Sequence, residues 1–317
     1  MISRITECDQ GLPDGMGPLA LLSECKLRVG DAAEAGFDWL QDNLAGLFDA
    51  MSAVLELLID LILALLQQPP NTGWIWDLRR SEITYLYPPD WHPILVGAIF
   101  VALAWWLHRG WRVPGLLALG LLFIINQGYW KETTESLTLV LSACVVCMGL
   151  GVPIGIAAAH RPRLYAAMRP VLDLMQTLPT FVYLIPAIVF FGIGMVPGLI
   201  ATVIFVLPAP IRLTHLGVSS TPVALIEAAD AFGATPRQKL WKVELPYALP
   251  QIMAGLNQTI MLSLSMVVIA ALVGASGLGV PVVRALNTVN TGLGFEAGLI
   301  IVVVAILLDR VLRVGRR

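Results

Sequence analysis

The chain is poor in charge. Asp, Glu, Lys and Arg make up 13% of its 317 residues, while 57% are hydrophobic. Soluble domains carry about 25% charged residues, so this composition excludes an ordinary water-soluble domain and implies a membrane protein. A second lack is a P-loop: no G-x-x-x-x-G-K-[ST] occurs anywhere, so ATP is not hydrolysed here by that device. Energy, if the chain needs any, must arrive from a partner. The long apolar segments also lack ionisable groups, with Asp173, Arg212, Glu296 and Asp309 only at their ends. Ion-coupled carriers place acids or His near mid-membrane, so a secondary transporter is disfavoured. Cysteine is scarce, at four residues. Cys144 and Cys147 form C-x-x-C within an apolar helix, with no βαβ context and no neighbouring His. They read as small packed side chains, with a redox or metal role as the alternative. Cys8 and Cys25 lie in the N-terminal tail. Met1 to Asp31 has no uninterrupted apolar stretch, and no cleavable signal is expected. No short-period repeat stands out.

Charge is unevenly spread. Residues 1–92 hold 14 acids and 5 Lys or Arg, and residues 93–317 hold 8 and 15. The acidic tail, 1–92, contains an apolar stretch near 44–66 in which Asp49, Glu56 and Asp60 fall on one helical stripe. Three acids at mid-bilayer cost about 8 kcal/mol, against about 6 returned by the apolar residues. The expectation is an amphipathic helix in the interface or against other helices, with a true span that hides its acids as the alternative. Gln67 to His92 is a linker whose Trp and Tyr suit the headgroup level. Within 94–125, two short apolar runs flank His108 to Arg112. They are either two short spans or a re-entrant hairpin. Firmer spans are expected near 136–159, 171–193, 197–213, 251–273 and 295–312.

Their connectors alternate in charge. Arg109 and Arg112, then Arg161, Arg163 and Arg169, then Arg237, Lys239 and Lys242, then Arg310, Arg313, Arg316 and Arg317 share one side, while Lys131 and Arg284 fall on the other. The positive-inside rule puts the C-terminus and the loop at 213–250 in the cytoplasm and the N-terminus outside.

That loop carries the strongest signal. It is a polar insert between two apolar segments, and from Glu227 to Pro246 it reads EAADAFGATPRQKLWKVELP. Thr221-Pro222 predicts a capped helix start, and Gly233 falls where a C-terminal cap belongs. Thr235, Pro236 and Gln238 predict a second start with a capping box. Pro246 and Pro250 are expected to close the second helix. A helix–turn–helix this polar must project into water. By contrast, Gly274 to Gly279 follows an apolar span rather than a strand, so it predicts a turn into a short re-entrant or surface helix reaching Arg284 and Asn287, and no phosphate loop. Asn257-Gln258-Thr259 opens a span and is no glycosylation site.

The insert resembles the EAA loop of ABC importer permeases: Glu227-Ala228-Ala229, Gly233, then Val243-x-Leu245-Pro246 at the family spacing, with Val243 for the usual Ile. The resemblance extends through 172–186 (LDLMQTLPTFVYLIP), 207–217 (LPAPIRLTHLG) and 253–270 (MAGLNQTIMLSLSMVVIA). It is to permeases of the glycine betaine, proline betaine and choline type over about 130–312, nearest to choline permeases from Ile211 to Gly298. It implies an all-α, polytopic inner-membrane protein with the type I importer transmembrane fold and about five to seven spans, its permease domain covering 93–317. It implies no catalysis and no cofactor or metal in this chain, ATP being bound by a P-loop ATPase subunit that clasps the loop. It further implies a substrate-binding protein, a homodimer in membrane lipid and no nucleic acid. Choline is expected as substrate, glycine betaine second. Alternatives are a permease for an amino acid or other osmolyte, or a non-transport membrane scaffold. Quaternary ammonium groups are held by aromatic cages, yet the spans after residue 135 contain no Trp. Phe181, Tyr183, Ser263, Ser265 and Met266 are candidate pathway residues, with ordinary helix packing the alternative for each.

Overall fold

The computed structural model describes residues 6–8, 25–27, 29–67 and 92–312. Residues up to Met51 and residues from Ser52 onward form two compact units. In the first, strand β1 (Thr6–Cys8) pairs antiparallel with β2 (Cys25–Leu27), Cys8 opposite Cys25. Helix α1 covers Val29–Gln67 with Asp31 in its first turn, where an acid complements the helix dipole. It therefore starts well before Leu44. Asp49, Glu56 and Asp60 are all exposed. From Ser52 onward the other face is apolar: Leu55 and Ile59 are buried against Ala143, Val196 and Leu199. The linker expected at 67–92 lies almost wholly outside the described residues.

Two short apolar helices follow, α2 (His92–His108) and α3 (Arg112–Asn126). Ala104, Leu117, Leu121 and Ile124 sit in one cluster with Leu139, Val140, Ile260, Leu264 and Ile300, so both helices pack onto the main core. Next come α4 (Trp130–His160), α5 (Pro162–Thr177), a 3-10 turn (Thr180–Tyr183), α6 (Leu184–Phe191), α7 (Met195–Val206) and α8 (Pro208–Ser219). The insert contains α9 (Val223–Ala231), the single turn α10 (Pro236–Lys239) and a π turn (Leu240–Glu244). The chain ends with α11 (Leu245–Ala271), α12 (Gly279–Thr288) and α13 (Thr291–Leu312).

Four helical stretches among the described residues are long and apolar enough to cross a membrane: Trp130–His160, Met195–Ser219, Pro236–Ala271 and Thr291–Val311. The span expected at 171–193 is broken. Helix α5 and the segment Thr180–Phe191 meet at a bend of 104°. Pro179 explains the break, because the residue before a proline is pushed out of the helical region. Leu178 accordingly has φ −65° and ψ 138°. The short helix expected after Gly274–Gly279 is α12.

Small residues let α4, α8 and α11 approach closely, the usual device where lipid removes the hydrophobic drive between helices. A Cβ added at Gly155 of α4 would lie 2.7 Å from the Ile211 carbonyl oxygen and 2.7 Å from Thr214 Cβ of α8. One at Gly217 of α8 would lie 2.9 Å from Gln251 Cβ of α11. This three-helix block is the rigid base from which the insert leaves and to which it returns.

Candidate functional site

The insert begins where α8 ends. Its first helix is capped differently from the expectation: Pro222 occupies the cap position with φ −56° and ψ 132°, and no side chain caps α9. Thr221 stands one residue too early. It is buried, and its Oγ1 lacks a hydrogen-bond partner among the described residues. The C-terminal cap is as read. Gly233 has φ +72°, its N–H donates to the Asp230 carbonyl at 2.9 Å, and the Ala234 N–H donates to the Ala229 carbonyl at 3.0 Å. An added Cβ would meet nothing within 4 Å, so glycine is needed here for backbone conformation and not for space. The capping box also forms: the Thr235 N–H donates to Gln238 Oε1 at 2.9 Å and the Gln238 N–H to Thr235 Oγ1 at 3.4 Å.

The prolines do not close the second helix. The chain continues helically from Pro236 to Ala271. A proline inside a helix clashes with the carbonyl four residues back and removes a hydrogen bond. Here the helix widens to a π turn, Leu240–Glu244, immediately before Pro246, and Pro250 stands inside α11 itself. The insert is thus continuous with a helix long and apolar enough to cross a membrane.

Two side-chain contacts tie the insert. Lys239 Nζ lies 2.7 Å from Asp230 Oδ1 and joins α10 to α9. His160 Nε2, at the end of α4, lies 2.8 Å from Glu244 Oε2 on the π turn. The second contact is of ion-pair length but off the hydrogen-bond axis, since Oε2 has no aligned donor. Glu227 and Ala228 are exposed and Ala229 is half-buried, as are Val243 and Leu245, while Pro246 is exposed. The expected docking residues therefore line an open surface. Helix α9 buries none of its residues in this chain. Val223 and Leu225 are open, Phe232 is 91% exposed and Trp241 63%. Phe232 was readable as an aromatic before a cap glycine in a polar insert. His160 had no local signal, since its partner is far along the chain.

The candidate pathway residues divide between buried and exposed positions. Tyr183 and Met266 belong to one buried cluster with Leu184, Ala187, Ala201 and Val273, and the Tyr183 hydroxyl donates to the Met175 carbonyl at 2.9 Å. Ser263 is fully buried, and its Oγ has no partner among the described residues. Ser265 is exposed and donates back to the Met261 carbonyl. Phe181 is exposed on the 3-10 turn beside Val182 and Ile185, near the break. Cys144 and Cys147 are buried free thiols in α4, with Cys147 Sγ directed at the Val203 carbonyl. No group of three or more His, Cys, Asp or Glu among the described residues could hold a metal ion.

Residues 151–315 match the family described as binding-protein-dependent transport system inner membrane component. The chain is 44% identical to the glycine betaine transport system permease protein OpuAB of Bacillus subtilis over 287 residues, 90% of this chain and 93% of that one. It is 48% identical to the glycine betaine/carnitine transport permease protein GbuB of Listeria monocytogenes over 240 residues, 75% of this chain and 81% of that one. Among solved structures, a chain of the MetNI methionine ABC transporter in an inward-facing conformation overlays with a TM-score of 0.51 at 25% identity, covering 57% of this chain and 94% of that one.

Proposed function

Because the chain belongs to the family of binding-protein-dependent transport system inner membrane components, we propose that it forms the pathway of an importer for a small quaternary ammonium osmolyte. It is a polytopic inner-membrane permease subunit of an ATP-driven importer for betaine-type substrates. The substrates named for its relatives move glycine betaine ahead of choline. A binding protein delivers the substrate and supplies most of the selectivity, in keeping with the scarcity of aromatic faces in the spans for caging a quaternary ammonium. Two copies of the chain, embedded in lipid, face one another across the pathway. The N-terminal region lies outside the cytoplasm, and the insert and C-terminus lie inside.

ATP is bound and hydrolysed by a separate P-loop subunit clasping the insert. Closure of the ATPase pair pushes α9 and α10, and the push passes through the π turn into α11, exchanging two states of the pathway. One observation carries the coupling role: α9, nine residues long, buries none of them in this chain. A helix that short is marginal alone in water, so its apolar side chains call for a partner surface. The test is reconstitution with the ATPase and binding protein, followed by uptake of radiolabelled glycine betaine. ATP-dependent uptake competed better by glycine betaine than by choline is expected. Stronger competition by choline would reverse the substrate order, and stronger competition by an amino acid would replace the class. Uptake that needs no ATP would overturn the reading.

A further inference from the structure

The tip of the insert holds out one aromatic ring. Phe232 is 91% exposed, and its backbone leaves it little freedom. Its N–H donates to the Ala228 carbonyl at 3.1 Å, the next residue is fixed at φ +72°, and the Lys239–Asp230 pair closes the turn below it. With its backbone fixed, only the two χ angles of the ring remain to be ordered when it docks, and that small entropic cost is what makes aromatic side chains effective anchors at interfaces. The exposed charges of the insert are of both signs. Glu227, Arg237 and Lys242 are exposed and make no ion pair with described residues, while Asp230 and Glu244 are paired. An anionic membrane surface would select a uniformly basic rim. An insert that presents both signs together with an exposed aromatic suits a protein cleft instead.

Building on the coupling reading above, we propose that Phe232 is the anchor by which the insert grips the ATPase subunit. It enters an apolar pocket on that subunit, bordered by acids opposite Arg237 and Lys242 and by a base opposite Glu227. Central aromatic anchors of this kind carry a disproportionate share of interface energy. Phe232 supports nothing within its own chain, so its removal weakens docking without weakening the fold.

The test uses the full chain in nanodiscs, titrated with the separately purified ATPase subunit of its own transporter. Phe232→Ala is expected to raise Kd at least about 30-fold. Phe232→Leu should recover much of the loss, Phe232→Asp should be worse than Ala, and the thermal midpoint of the permease alone should not move. A benzophenone side chain placed at position 232 should crosslink to the ATPase. Binding by Phe232→Ala within threefold of wild type, or crosslinking to lipid alone, overturns the anchor while leaving the coupling reading intact. Absence of ATPase binding by the wild-type chain would strike that reading itself.

Discussion

His160 Nε2 stands 2.8 Å from Glu244 Oε2, joining the end of α4 to the π turn that feeds α11. The His160 ring is anchored on its other side by Nδ1, 2.9 Å from the Ile156 carbonyl. Glu244 is the more deeply buried partner, with side-chain exposure of 10% against 46% for His160, so a lost His leaves a carboxyl group with little solvent and without this contact. A buried pair broken on one side costs about 3–5 kcal/mol, but His160 is half exposed, and about 1–2 kcal/mol is the appropriate scale. His160→Ala should lower the thermal midpoint of the permease in nanodiscs and uncouple ATPase stimulation from substrate. Adding Glu244→Gln should restore part of both, which a double-mutant cycle measures. Additive losses in the double variant would refute the linkage.

Gly233 tests the turn itself. A side chain there adopts a left-handed backbone at a cost of about 1–2 kcal/mol. Open space around the position removes any steric term. Gly233→Asn should therefore be milder than Gly233→Val, since Asn tolerates that region and a β-branched residue does not. Both should insert normally, and the Val variant should fail to retain the ATPase subunit. Equal behaviour of the two variants would mean that the turn geometry is not what matters.

Much of this was legible in the sequence because its signals are local. Gly233 and the Thr235–Gln238 box follow from residue chemistry within four positions. The failures are equally specific. Pro246 reads as a stop because a proline ends an ideal helix, but the helix widens to a π turn just before it and continues. The span across 171–193 looked continuous because composition averages over Pro179, where the chain bends sharply. Residue type alone says nothing of which way a side chain faces. Ser263 and Ser265 lie two apart on a helix, so one is buried and the other exposed.

Gly155 tests the base beneath the insert. An alanine there places a carbon 2.7 Å from the Ile211 carbonyl oxygen, which is backbone and cannot rotate away. The helices must separate, at about 1–3 kcal/mol for an overpacked contact. Gly155→Ala should lower the thermal midpoint and reduce the yield of folded permease. Gly149→Ala on the same helix, with nothing within 4 Å of the added carbon, should be close to neutral. Alanine is the better helix former at both positions, so matching losses in the two variants would show that the α4–α8 contact does not set the effect.

The last prediction concerns sidedness. Basic residues cluster on the connectors shared with the insert, namely Arg161, Arg163 and Arg169 and then Arg237, Lys239 and Lys242, while the opposite connectors carry Lys131 and Arg284. Such a bias orients membrane helices with the basic loops in the cytoplasm. A coupling role for α9 independently demands the same side, because ATP is cytoplasmic. In a variant without native cysteines, a single cysteine replacing Asp14 should react with an impermeant maleimide added to intact cells. Position 14 lies outside the described residues, so the label reports sidedness alone. A cysteine replacing Gln238 should react only after the membrane is opened. Gln238 is exposed, so its protection in sealed cells would come from the membrane and not from burial in this chain. Docked ATPase could also shield it, so the measurement is repeated without that subunit. Labelling of Gln238→Cys from outside sealed cells would invert the topology and remove the physical basis for coupling through the insert.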